Sequence, residues 1–264
     1  MKTSMIKNMQ WLLCAALLCV AEFASAQVAT VFDVSGAVQA IPGAGSPRAL
    51  RKGDSLNQGE TIVTADGASI VLRFEDGQVV ALTPRSRFTI SNYTYDRAAP
   101  EKSNVLLSLI EGGMRAVTGL IGKRNPASVN YKAAQATIGI RGTDISVATV
   151  GGDLAISVTE GGISFTFQGK TTTVNAGEGV DARTDGSIRK AAISEFVKNL
   201  PPAFKSIFTD MDRITLSGLI RQAGQQDIRD NQTSPQGTPG TTSSNNGSSG
   251  SGGGGGGGGG ASTR

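Results

Sequence analysis

Seven acidic residues, Glu75, Asp76, Asp144, Asp153, Glu160, Glu178 and Asp181, could supply the carboxylate pair that cleaves a glycosidic bond. Most of them sit beside glycine in turn contexts, where a carboxylate bonds nearby backbone N–H groups. Turn capping is therefore their expected role. Ser187-Ile188-Arg189-Lys190 has the Ser-x-x-Lys spacing, but the companion Ser-Asp-Asn and Lys-Thr-Gly motifs are absent from the sequence. Gly43-Ala44-Gly45 begins a dinucleotide fingerprint, yet Arg48 stands where its third glycine belongs. The chain has no histidine, which excludes His-based triads, His general bases and the commonest zinc sites. No catalytic residue, metal ligand or cofactor is expected.

Binding chemistry has better candidates. Tyr93 and Tyr95 alternate near Arg85, Arg87 and Arg97, and such a cluster can stack on sugar rings or pack on a partner. Strand-edge packing is the other reading of the two tyrosines. Arg141 precedes Gly142 and Thr143, and its guanidinium fork suits an anion or a glycan. It equally suits backbone carbonyls that tie two turns together.

The N-terminus places these residues in a compartment. Lys2 and Lys7 precede an apolar run from Trp11 to Ala21, and Ala24-Ser25-Ala26 follows. This is the pattern of a signal peptide over residues 1–26, cut after Ala26. Cleavage removes Cys14 and Cys19, both cysteines of the chain, so no disulfide is expected. The net charge of +4 falls to +3 with loss of Lys2, Lys7 and Glu22. No dense Lys/Arg cluster marks a nucleic-acid binder. No later stretch reaches membrane-spanning length, so a soluble periplasmic or secreted mature form is expected.

Three compositions follow. Residues 27–188 are Val, Ile, Thr, Ala and Gly in short runs. Asp76-Gly77 separates Ala68–Phe74 from Gln78–Leu82, a strong hairpin signal. Gly151-Gly152 and Gln168-Gly169 separate further runs, and Gly161-Gly162 leads into the alternating Ile163–Phe167. An all-β domain is predicted, rolled, solenoid-like or a sandwich of short strands. Residues 189–230 turn helical: Ile193, Phe196, Val197 and Leu200, then Phe204, Ile207, Phe208 and Met211, keep one face apolar. These short helices either cover the β domain or offer a face to a partner. Residues 231–264 end in glycines 252–260 and read as a disordered tail.

The ordered set of glycines, acids and arginines resembles the FecR family, named for the periplasmic domain of the iron-dicitrate regulators. The carrying pieces are Gly36-Ala37-Val38, Gly53-Asp54-Ser55-Leu56, Gly59-Glu60-Thr61-Ile62, Asp76-Gly77 with Pro84-Arg85-Ser86, and Gly113-Met114-Arg115. Ile140-Arg141-Gly142-Thr143-Asp144, Gly161-Gly162 and Ala176-Gly177-Glu178 complete them. The resemblance spans residues 30–182 and implies a FecR-type β fold with a periplasmic binding role. The family's regulators carry a cytoplasmic segment and a membrane span before this domain. Here a signal peptide is read in that place, so signalling to a sigma factor is not carried over.

The expectation is a non-catalytic module of a Gram-negative envelope, acting in protein interaction, sensing or scaffolding. Its expected partner is an envelope protein. The alternatives are a glycan- or peptidoglycan-binding module centred on Tyr93 and Tyr95, and a wall hydrolase using paired carboxylates.

Overall fold

Alternating apolar and polar residues make strands throughout residues 27–192, and helical apolar spacing takes over from residue 193. The structure is a computed structural model that describes residues 27–232. The expected signal peptide, and the expected tail beyond residue 232, lie outside the described residues.

Five strands cover the N-terminal part: β1 (Gln27–Ser35), β2 (Val38–Ile41), β3 (Arg48–Ala49), β4 (Ser55–Asn57) and β5 (Thr61–Thr64). Next come β6 (Ser69–Phe74), β7 (Val79–Leu82), β8 (Arg87–Thr94), β9 (Asn104–Val117) and β10 (Val129–Ala133). The last five are β11 (Ala136–Val150), β12 (Asp153–Phe167), β13 (Lys170–Asn175), β14 (Glu178–Ala182) and β15 (Ile188–Ala192). A short helix, α1 (Leu120–Arg124), crosses from β9 to the parallel β10. Three more, α2 (Ile193–Asn199), α3 (Pro202–Leu216) and α4 (Leu219–Gln232), follow the strands.

Asp76-Gly77, Gly151-Gly152 and Gln168-Gly169 each close an antiparallel hairpin, β6–β7, β11–β12 and β12–β13. Gly161-Gly162 does not turn the chain. It lies inside β12, which runs 15 residues, as does β11, and β9 runs 14. These lengths exceed the short strands expected because each long strand serves two layers. The first part of β9 pairs with β8 and β10, and its last part pairs with β7 and β11. One layer runs β3–β2–β5–β8–β9–β10–β11–β12–β13, the other β4–β1–β6–β7–β9–β11–β12–β14–β15. Their inner faces share one core that includes Phe74, Phe88, Tyr131, Phe165 and Phe167.

The long strands bend where they change partners. Gly112 in β9, Gly142 in β11 and Gly161 in β12 all have positive φ, at 87°, 57° and 74°. Register shifts between Arg141 and Asp144, where two β11 residues oppose Gly161. Glycine holds this conformation at little cost, whereas a side chain strains it.

The helices cover the outer face of the second layer. Phe196, Leu200, Phe204, Phe208 and Met211 pack on Ala148 and Ala155, while Ile220 and Ala223 pack on Val71, Val79 and Ala81. This explains the imperfect alternation in β6 and β7: both of their faces are buried, so every residue of β7 is apolar. Two strand glycines make room for the helices. A Cβ on Gly179 would strike the Phe196 ring, and one on Gly113 would strike Ile207 and Met211. No helix among the described residues is long and apolar enough to cross a membrane.

Candidate functional site

Two polar knots hold the bent strands. In the first, Asp76 of the β6–β7 turn is buried and accepts from Gln78 N–H at 3.1 Å, Tyr93 O–H at 3.0 Å and Ile121 N–H at 3.3 Å. Its carbonyl takes Leu120 N–H at 2.8 Å, which docks the start of α1. Gly119 is required here, because a Cβ would overlap the Asp76 carboxylate. Burial pushes the Asp76 carboxyl above its ordinary value, and the three hydrogen bonds only partly offset that. Burial and the neighbouring Asp76 charge also push the Tyr93 and Tyr131 phenols up, so both stay protonated donors.

This sets a pH dependence. A carboxyl raised on folding contributes its stability below the ordinary value of 3.8 and loses it as pH rises through the raised value. Asp153, Glu178 and Asp185 are lowered, chiefly by N–H donors at Thr184 and Asn175 and by the Ser187 hydroxyl. Their contributions disappear in the opposite direction, as pH falls below the ordinary range. Asp76→Asn should therefore flatten the loss of stability that sets in as pH rises above the ordinary value of 3.8 in urea titrations. An unchanged slope would remove Asp76 as its source.

The second knot joins two of the sequence motifs. Arg115 of Gly113-Met114-Arg115 grips Asp144 of Arg141-Gly142-Thr143-Asp144 through two bonds, Nε to Oδ1 at 2.9 Å and Nη2 to Oδ2 at 2.7 Å. Its Nη1 donates to Thr215 Oγ1 of α3 at 2.9 Å. Thr143 exchanges hydrogen bonds with Thr118: its N–H donates to Thr118 Oγ1, which in turn reaches the Thr143 carbonyl, both at 2.9 Å. The Pro84-Arg85-Ser86 turn ties in as well, because Ser86 Oγ accepts from Gly113 N–H and Ser86 N–H donates to Thr64 Oγ1. Gly53 and Gly177 hold positive-φ turns, and Asp54 caps the Arg51 N–H at 2.8 Å.

Other acids hold basic or backbone partners. Asp153 takes Arg183 and Thr184 N–H, Asp181 takes Arg183 and Arg189, and Glu178 takes Lys190 and Asn175 N–H. Glu75 and Glu160 are exposed. Among the described residues, no group of three or more acidic residues is placed to hold a metal ion.

The aromatic-basic cluster is divided by the fold. Tyr93 is only 5% exposed, with its ring 5.3 Å from Phe74 and its hydroxyl committed to Asp76. It cannot form an exposed pair with Tyr95, because the inward positions of β8 face the core. Tyr95 is half-buried and lines a cleft of about 450 Å³ with Arg97, Arg73 and Glu75. Arg85 is exposed at a positive φ of 54° and pairs with Asp66 at 3.0 Å. Arg87 is exposed opposite Glu111.

Arg141 is exposed and borders a second cleft, of about 300 Å³, on the outer face of the first layer. Strand register assembles that cleft. Asn130, Gly139, Ser164 and Thr173 stand in one row across β10, β11, β12 and β13, and Arg141 and Gly162 stand in the adjacent row. Pro126 and Ala127 form one wall. Beyond it Lys132, Thr137, Thr166 and Thr171 extend the same open polar face. The cleft was not legible in the sequence, although Asn130, Gly139 and Ser164 are outward positions of alternating strands.

The β13 edge beside this face is partly closed. Lys190 Nζ donates to the Thr173 carbonyl at 3.3 Å and to Glu178 at 3.2 Å, and Glu178 accepts Asn175 N–H at 2.8 Å. This clasp occupies backbone groups that an added strand would need.

Comparison with known proteins gives one family. Residues 60–164 match the family model described as FecR protein. No curated protein matches the chain. Two crystal structures of a protein assigned as an anti-sigma factor from Parabacteroides distasonis resemble it at TM-score 0.42 and 18% identity. The likeness covers 50% of this chain and 59% of that one.

Proposed function

We propose, on the premise that residues 60–164 carry a FecR domain, that this chain is an exported regulatory module of a Gram-negative envelope. It acts by binding a protein partner and performs no catalytic step. One observation carries this reading. The outer face of the second layer is covered by the chain's own helices, while that of the first layer stays open and is polar across β10–β13. Its β10–β13 part, built of Thr, Ser and Asn with Lys132 and Arg141, can dock a partner without exposing an apolar patch when alone. The signal-peptide pattern of residues 1–26 supports export. The engagement of Asp76, Asp144, Asp153, Glu178 and Asp181 by donors and arginines supports the absence of chemistry.

The test is a photo-crosslinking residue placed in turn at Thr137, Thr171 and Lys205. The first two are exposed on the open face, and Lys205 is exposed on α3. One envelope protein should be captured from Thr137 and Thr171 and not from Lys205. Capture from Lys205 alone, or from none of the three, would overturn the reading.

A further inference from the structure

Most glycines of the bent region have a mechanical reason to be glycine. Gly112 and Gly161 have positive φ, and a Cβ on Gly113, Gly119 or Gly179 would strike a packed side chain. Gly139 has neither reason. Its φ is not in the left-handed region, and the nearest atom to a Cβ built there is Asn130 Oδ1 at 3.7 Å, an ordinary contact distance. A glycine inside a strand weakens it, and where no bend requires it, it marks a place that something else approaches closely. Gly139 is the floor of the Arg141 cleft.

The surrounding groups are arranged around that floor. The neighbouring Gly162 gives room to Arg141, whose Nη2 lies 3.5 Å from the position of a Cβ there. The guanidinium fork thus lies over the sheet. Among the described residues the Arg141 guanidinium has no hydrogen bond or ion pair. Asn130 donates its Nδ2 to the Ala127 carbonyl at 3.3 Å, which leaves Oδ1 facing Gly139 as an acceptor. The exposed Ser164 hydroxyl completes the row.

We infer that this cleft binds a carboxylate-bearing sugar unit, with Arg141 on the carboxylate and Asn130 Oδ1 and Ser164 on ring hydroxyls. A planar fork matches a carboxylate, and fixed amide and hydroxyl groups match sugar hydroxyls. The volume of about 300 Å³ suits a single ring. The backbone left bare at Gly139 lets that ring sit directly on the sheet. No aromatic platform lines the cleft, so the charged group rather than stacking supplies selectivity. The inference rests on the cleft and does not require the protein partner proposed above.

The experiment follows amide chemical shifts of the protein during titration with glucuronate, digalacturonate and neutral glucose. The acidic sugars should shift Asn130, Gly139, Arg141 and Ser164 saturably, and glucose should not. Arg141→Gln should weaken acidic-sugar binding at least about 10-fold, the usual size of a lost charge-assisted contact. Gly139→Val should abolish binding while leaving the melting temperature equal or higher, because an added Cβ meets only ordinary contacts and valine favours strands. No saturable shift with either acidic sugar, equal binding of glucose, or unchanged affinity in both variants would overturn the inference. Crosslinking from Thr137 and Thr171 in the Gly139→Val protein reports on the protein partner separately.

Discussion

Gly161→Ala should lower stability by about 3 kcal/mol, through conformational strain of about 1–2 and overpacking of about 1–3 kcal/mol. Gly161 has a φ of 74°, and a Cβ there would overlap the Gly142 carbonyl oxygen and lie 2.6 Å from the Arg141 carbonyl oxygen. Both obstacles are backbone atoms in the partner strand, so no rotamer change relieves them. Moving them would disturb the pairings of Arg141 with Gly162 and of Asp144 with Glu160 on either side of the bulge. For a domain of this size the melting temperature should fall by about 6–12 °C. Gly169→Ala is the matched control. Its φ is 78°, but nothing lies within 4 Å of the added carbon. It should cost about 1–2 kcal/mol, from backbone strain alone. Equal midpoints for the two variants in thermal or urea unfolding would show that the close approach of β11 and β12 is dispensable.

Arg115→Ala and Asp144→Ala should each cost about 2–4 kcal/mol. The side chains are only 14% and 17% exposed, so either substitution strands a largely desolvated charge. Arg115→Ala also releases Thr215, which should raise amide exchange in the C-terminal turns of α3. The apolar seat of Phe204, Phe208 and Met211 remains, so α3 should loosen rather than leave. Replacing both partners, as Arg115→Met with Asp144→Leu, removes the stranded charge and should recover much of the loss. A double-mutant cycle measures this directly. Additive losses, with no coupling energy, would mean that the pair does not act as a unit.

Hairpins and helices were legible because their signals are local. Asp76-Gly77, Gly151-Gly152 and Gln168-Gly169 turn the chain as their flanking runs predict. The apolar spacing of Phe196, Leu200, Phe204, Phe208 and Met211 appears as the buried face of α2 and α3. Gly161-Gly162 carried the same local signal as a turn and became a bulge instead. Its outcome depended on Gly142 in the facing strand, which no nearby residue reports.

Local sequence signals were enough for an all-β core, the three hairpin turns, a helical finish and the FecR resemblance that the match over residues 60–164 bears out. Those properties follow from periodicity and turn chemistry within a few residues. Tertiary structure alone decided where the motif side chains go. Arg115 finds Asp144 across 29 residues and Thr215 across 100, and two tyrosines two residues apart reach different depths of one core, Tyr93 buried and Tyr95 half-buried at a cleft wall. The Arg141 cleft belongs to the same class, since four strands supply its row. Strand register between distant segments places such residues side by side, and register is set by the burial of whole faces.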